Sequence, residues 1–461
     1  MVESYANSVE DKLIEGLTFK LEGGASYINE RKFCTFHPQG SNVYNPSSGS
    51  KLIKIALTGK DWLDPSTFRV AFDLVNDDKA NAAVAANATT GAPAIAARDP
   101  FLRPLSGPWS FFRRVRLLAG GQVVEDIDYY SRVHEMMDIL TASDSRDNEN
   151  VEGFGYRWDE HKPPAGGAIY VGIKPGDRQT VFFKPLMGLL NQSKFLPLHY
   201  IQSLSLELEL VDNASDPVVN NTGAFGPLNN SLLWHMENVQ VKCDMISLDS
   251  GVQESYHNVL MSSKEIPIHY NTLTSQFQTI IGQDEAFVNV SRAATRLKSV
   301  FVSLDKTQAG DRLTNGKKWW NDFFSPASAN NFAGTVFKHD SNDEFELTIQ
   351  VGSKIFPDYP MRSHAEAYYQ LRKTLGVQSS KVHSFDISPQ EYHDNRLIMG
   401  IDTEKSLGSS FTGINTRAGD LMTCKFRYKN ATTERKADRI HIVLHTDNIM
   451  KINATGVEIF D

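Results

Sequence analysis

Between Leu204 and Leu210 every second residue is leucine (Leu204, Leu206, Leu208, Leu210), while Ser205, Glu207 and Glu209 lie between them. That is the period of a strand with one apolar and one polar face. Runs of similar character recur at 51–57, 68–74, 115–124, 168–173, 180–183, 233–246, 287–290, 297–304, 345–356, 421–428 and 440–444, and each is predicted as a strand. Helical spacing is confined to 130–140, 252–262 and 364–375, each bounded by polar or turn residues. The expected fold class is mainly β, with many antiparallel strands and a few short helices. Stretches rich in turn residues or charge at 80–100, 144–167, 212–230, 306–334 and 376–419 are predicted as loops. Loops of that length in a compact β-domain are usually functional.

The pattern repeats. Residues 112–137, FRRVRLLAGGQVVEDIDYYSRVHEMM, read as strand, Gly-Gly turn, strand, charged aromatic bend and helix. Residues 344–371, EFELTIQVGSKIFPDYPMRSHAEAYYQL, read the same way. Superposing Gly120 on Gly352 brings Val123 onto Ile355 and Asp126 onto Asp358, and both copies run into a helix bearing His and Glu. Two further matches keep chain order: 51–74 with 287–304 as paired strands, and 233–246 with 439–452 as the last long strand of each half. Duplication reinterprets the length of 461 residues as two similar β-domains. The organisation expected is an N-terminal arm at 1–19, a first domain at 20–250, a helical linker at 251–264 and a second domain at 265–461.

Composition narrows the function. Hydrophobic residues at 41% and charged residues at 22% describe an ordinary globular chain. No run approaches the roughly 18 apolar residues of a membrane-spanning helix. The first residues, MVESYANSVEDKLIEG, are acidic where a secretion signal would be basic and then apolar. The chain is therefore expected to be made and used without secretion. A net charge of −8 lacks the basic footprint of a nucleic-acid binder, so no sequence-specific nucleic-acid partner is expected. Cys34, Cys243 and Cys424 are odd in number and scattered, which suits reduced, small buried thiols better than a disulfide framework or a metal site.

Catalytic patterns find little footing. His134-Glu135-Met136-Met137-Asp138 departs from the zinc-protease motif, because Asp138 stands where the second histidine belongs. The plainer reading is a half-exposed helix with His134, Glu135 and Asp138 on its polar face. His441 and His445 are four apart on a strand, about 13 Å, too far to share an ion. Glu207 and Glu209, about 6.6 Å apart by strand rise, could imitate a glycosidase carboxylate pair, but their period places them opposite the leucines, where they either face solvent, the expected case, or less often line a cleft. No Gly-x-Ser-x-Gly elbow, phosphate loop, dinucleotide fingerprint or cupin His-x-His pair occurs. No catalytic residue, cofactor or metal is predicted.

Eight or so strands per half with long connections fit a jelly roll, two packed sheets of Greek-key strands. With Arg103–Met137, containing Pro104, Gly107-Pro108-Trp109 and the hairpin-helix that follows, the layout resembles the double jelly-roll major capsid proteins of large eukaryotic DNA viruses, virophages and polinton-like viruses. The resemblance implies a structural, non-enzymatic protein of the virion. It would form a homotrimer of pseudo-hexagonal outline that tiles an icosahedral shell beside neighbouring capsomers, penton and minor capsid proteins. The resemblance also puts an N-terminal arm with Leu13, Ile14 and Leu17 on the inner side, facing a membrane or scaffold.

Two clusters are candidate interfaces. Arg113, Arg114 and Arg116 either point outward from their strand or pair with Glu125, Asp126 and Asp128 across the hairpin or between subunits. Trp319, Trp320, Phe323 and Phe324 are either tucked over their own domain or buried against a neighbour. The alternatives to a major capsid protein are a two-domain β-sandwich carbohydrate-binding protein or glycoside hydrolase, and a minor capsid component such as a spike.

Overall fold

The structure, a computed structural model, describes residues 27–47, 51–81, 98–155, 172–201, 203–219, 230–262, 264–306, 323–326, 345–376, 385–404, 413–417, 421–429 and 436–460. Ten strands precede residue 250: β1 (Ile28–Phe36), β2 (Val43–Tyr44), β3 (Leu52–Leu57), β4 (Trp62–Asn76), β5 (Phe112–Ala119), β6 (Gln122–Ile127), β7 (Arg178–Phe183), β8 (Leu196–Pro197), β9 (Leu204–Leu210) and β10 (Trp234–Leu248). Nine follow: β11 (Ile266–Thr279), β12 (Glu285–Val290), β13 (Leu297–Asp305), β14 (Phe345–Val351), β15 (Lys354–Met361), β16 (Ile398–Asp402), β17 (Met422–Tyr428), β18 (Arg439–Asn453) and β19 (Gly456–Phe460). The helices are α1 (Tyr130–Ile139), α2 (Ser143–Glu152), α3 (Ser250–Met261), α4 (His364–Thr374) and α5 (Pro389–Asp394).

Each half is a pair of antiparallel sheets. In the first, β1-β10-β4-β7, with β2 on β10 and β8 on β4, faces β3-β9-β5-β6. In the second, β11-β18-β13-β16, with β19 on β18, faces β12-β17-β14-β15. Among the described strands, none pairs across the two halves. The architecture is two tandem jelly rolls, with α3 between them.

The predicted hairpin-and-helix repeat is present in both halves. Gly120 and Gly121 both take positive φ (57° and 82°) in the β5–β6 turn, a conformation open to glycine and costly for a side chain. Gly352 (φ 58°) turns β14 into β15, and α1 and α4 follow their hairpins. The 15-residue strands β10 and β18 are each flanked by two strands at the heart of their sheet.

One expectation is corrected: β3 and β4 are not paired with each other, nor are β12 and β13. Each couple is split between the two sheets of its half. Neither connection carries the two-residue positive-φ turn that closes a hairpin, so the chain crosses the sandwich instead.

The interior follows the alternation. Leu204, Leu206, Leu208 and Leu210 are fully buried, against Ile53 and Ile55 of β3 and Val115 and Leu117 of β5 on the same sheet. The polar face behaves differently from the expectation of solvated glutamates. Glu207 is only 7% exposed, because Lys54 and Arg116 stand beside it in register and hold it at 3.2 and 2.9 Å. Glu209 is half-buried. Three elements inside predicted loops were invisible to periodicity. Helix α2 (SDSRDNENVE) carries one apolar residue, the exposed Val151, so no apolar stripe marks it. Within 376–419, α5 is a six-residue helix signalled only by the Ser388/Glu391 capping box, and β16 is five residues long, buried and without alternation. Of the predicted strand 168–173, the described part contributes an isolated bridge from Ile173 to Leu102.

Candidate assembly surfaces and the seam between the jelly rolls

The two halves meet where β6 and the 3-10 turn Leu189–Asn191 pack on β11. Glu125, one of the carboxylates offered as an alternative partner for the arginine cluster, is instead buried in this seam. Its Oε1 accepts from the Leu189 N–H at 2.7 Å. Its Oε2 accepts from the Gly188 N–H at 2.8 Å and from the Thr272 hydroxyl at 3.1 Å. Burial pushes its carboxyl up to about 7, and the three donors only partly counter that. The Tyr270 hydroxyl donates to the Val124 carbonyl at 3.1 Å and Ser275 to that of Asp128, while Tyr129 packs on Phe277. Gly188 lies so close to β11 that a Cβ there would sit 1.5 Å from the Asn271 carbonyl oxygen.

Helix α1 reaches furthest across. Arg132 is fully buried, donates to the Leu304 carbonyl at 2.9 Å and stacks its guanidinium 4.4 Å from the Phe323 ring. His441, also completely buried, stacks on Phe277 at 4.1 Å, and neither ring nitrogen has a hydrogen-bond partner. Burial, with Arg132 nearby, drives its pKa well below the ordinary histidine value. His445 lies across from Ser299, 3.2 Å from its hydroxyl, and burial lowers it to about 4.

Helix α1 is buried on nearly every side, so the expected half-exposed polar face does not exist. His134 stacks on Trp109 at 4.1 Å, and Glu135 accepts from Trp109 Nε1 at 3.0 Å and from Ser106. Pro108-Trp109, the stretch singled out in the sequence, therefore serves as the platform on which α1 sits. Among the described residues, no group of three or more His, Cys, Asp or Glu is arranged to hold a metal, and no helix is long and apolar enough to cross a membrane.

The arginine cluster is satisfied inside the chain. Arg114 makes a bidentate pair with Asp126 across the hairpin at 2.8 and 2.6 Å, Arg116 binds Glu207, and Arg113 binds Asp212 at 2.8 Å. All three guanidiniums remain partly exposed. In the aromatic cluster, Phe323 is a correction: it is wholly buried, its N–H and C=O bonded to Asn395 and Leu397, which leaves no surface for a neighbour. Phe324 is half-buried under Lys306. Trp319, Trp320, Leu13, Ile14 and Leu17 lie outside the described residues.

The duplication leaves a mismatch at its two ends. The edge strand β6 of the first half packs on β11 and β19 of the second, and β11 is correspondingly well buried along Ile266, Ile268, Tyr270 and Thr272. Its counterpart β15 ends the equivalent sheet with Ile355 46% and Tyr359 82% exposed, and Tyr369 of α4 is exposed too. The counterpart of β11 is β1, exposed along residues 28–33, with Phe33 68% exposed. One covered contact in the middle of the chain is thus matched by two open half-contacts at its ends.

Solved structures share this architecture over nearly the whole chain. PBCV-1 VP54, as fitted into a reconstruction of the virophage Sputnik, aligns at a TM-score of 0.59 and 11% identity over 96% of this chain and 99% of its own. The Faustovirus major capsid protein aligns at 0.58 and 9% over 95% and 93%. The cryo-EM structure of the Sputnik virophage aligns at 0.56 and 10% over 97% and 91%. No protein-family model matches the sequence, nor does any curated protein. The fold is the double jelly roll of viral major capsid proteins.

Proposed function

We propose that the protein is a major capsid protein, a non-enzymatic building block of a virion shell. Three copies would join head to tail, the β14–β15 edge of one seated on the β1 edge of the next. The observation that carries this reading is the pair of open edges. The chain covers β6 with β11 internally, and the same kind of contact repeated between copies would cover β15 with β1. Such a contact is heterologous, so it must either close into a ring or propagate. Two jelly rolls per chain and three chains make six similar blocks around one axis, the near-hexagonal tile that packs a surface without gaps. In this reading residues 20–250 and 265–461 are the two domains, the partly exposed Arg113, Arg114 and Arg116 rim the contacts, and residues 1–19 form an arm on the inner side. Penton and minor capsid proteins would be its other partners, and assembly would take place in the host cell.

Light scattering on the purified chain, followed by negative-stain imaging of the same peak, tests this. A species of three times 51.5 kDa with a hexagonal outline is expected, and a stable monomer refutes it. Deleting residues 1–17 should leave that trimer intact and impair shell assembly. Loss of the trimer itself would refute the assignment of those residues as an arm.

A further inference from the structure

Cys34 and Cys243 stand far apart in the sequence but directly opposite one another in the antiparallel β1–β10 register. Residues opposed in this way project to the same face, with Cα atoms about 4.5 or 5.5 Å apart depending on the hydrogen-bonding pattern. Both spacings lie within the range a disulfide spans, about 4.4–6.8 Å. Opposed Cβ atoms sit about 4.5–5.5 Å apart, so closing the bond needs an approach of about 1 Å. An edge strand can supply that movement: β1 pairs along its length with β10 alone among the described strands. Both sulfurs are free thiols here. Cys34 is half-buried and within reach of a small reagent, whereas Cys243 is fully buried.

We propose that Cys34 and Cys243 are a modification site, forming a cross-strand disulfide that staples β1 to β10 when the protein meets a disulfide oxidant of the glutathione class. The Cys34 thiolate attacks one sulfur of glutathione disulfide and releases one glutathione. Cys243 then loses its proton to solvent, and its sulfur displaces the second glutathione from Cys34. Two cysteine thiols are oxidised by two electrons and glutathione disulfide is reduced to two glutathiones. The second step is the slow one, because burial, with Cys34 beside it, pushes the Cys243 thiol up to about 12. Cys424, buried and likewise raised to about 12, faces Val288 and Ile349 in register and has no thiol opposite. The inference stands on the β1–β10 register of the single chain, in which β1 is an open edge; a neighbour's β15 seated on β1 would slow the first step without changing which thiols face each other.

The test incubates the full chain with glutathione disulfide, then alkylates it in denaturant and maps its peptides. Two of the three thiols should disappear, the peptides containing Cys34 and Cys243 should be joined, and the intact mass should fall by two hydrogens. Closure should accelerate about tenfold per pH unit between 7 and 9, as the Cys243 thiolate fraction grows. The oxidised protein should melt about 5 °C or more higher, reversibly with dithiothreitol, because the bond closes a long loop of the unfolded chain. In Cys243→Ser, Cys34 should stop at the mixed disulfide. A wild-type product that keeps all three thiols, or that carries glutathione on Cys34 without losing Cys243, overturns the proposal.

Discussion

Glu125 offers the sharpest test of the seam. Its carboxyl is completely enclosed, and its acidity is shifted from an ordinary 4.5 to about 7. Between those values the folded protein holds a proton that the unfolded chain has released. Stability must therefore fall as pH rises across that window, by about 1.4 kcal/mol per pH unit and about 3 kcal/mol in total. Below about pH 4.5 the loss is absent, and above about pH 7 it is complete. The buried His441 and His445 pull the other way. Their depressed values mean that the unfolded chain gains protons first as pH drops below 6.5, so stability falls with acidification there. The raw profile of the wild type thus mixes opposing slopes, and the informative quantity is its difference from Glu125→Gln. That variant keeps the shape but has one acceptor oxygen for the two backbone donors of Gly188 and Leu189. One N–H is left facing an amide, at a pH-independent cost of about 1–3 kcal/mol. The assay is urea unfolding followed by tryptophan fluorescence at fixed protein concentration and ionic strength, from pH 5 to pH 8. The wild-type advantage should be largest at pH 5 and shrink by most of about 3 kcal/mol by pH 8. Parallel profiles would refute the reasoning and mean that water or a further donor reaches the carboxylate.

Three other perturbations follow from the same geometry. Gly188→Ala forces a Cβ against the Asn271 carbonyl oxygen 1.5 Å away, so the 3-10 turn must leave β11, and thermal denaturation should show a loss of about 3 kcal/mol. Leu206→Ala opens a cavity between the sheets of the first half at a cost of about 2–5 kcal/mol by chemical unfolding, with the strand content seen by circular dichroism unchanged. Tyr359→Lys, at an 82% exposed position, should change monomer stability by no more than about 0.5 kcal/mol while lowering the associated mass seen by light scattering. An unaltered mass would remove β15 from the assembly contact.

The parts of this protein written in its sequence are those whose cause is local. Alternation placed Leu204, Leu206, Leu208 and Leu210 on a buried face because a strand has period two whatever it packs against. Gly120-Gly121 announced its hairpin because two consecutive positive-φ residues are nearly a glycine privilege, and a single turn glycine at the matching position, Gly352, with the strands and helix around it, made the duplication legible. What depended on the far side of the molecule was not legible. Glu125 reads as one more surface carboxylate until the Leu189–Asn191 turn and Thr272 close over it. Glu207 reads as solvated until Lys54 and Arg116, from two other strands, arrive beside it. Phe323 looks like a sticky loop residue and becomes a wall of the seam because Arg132, nearly two hundred positions away, lies across its ring. Cys34 and Cys243 look scattered because pairing register is decided by strand partners and not by sequence spacing. Helix α2 had no stripe to show, being held by contacts that its own polarity does not encode. Local sequence set the period and the turns, and only the tertiary structure decided which polar groups are enclosed and which edges stay open, since burial and edge exposure are properties of the neighbours an element acquires.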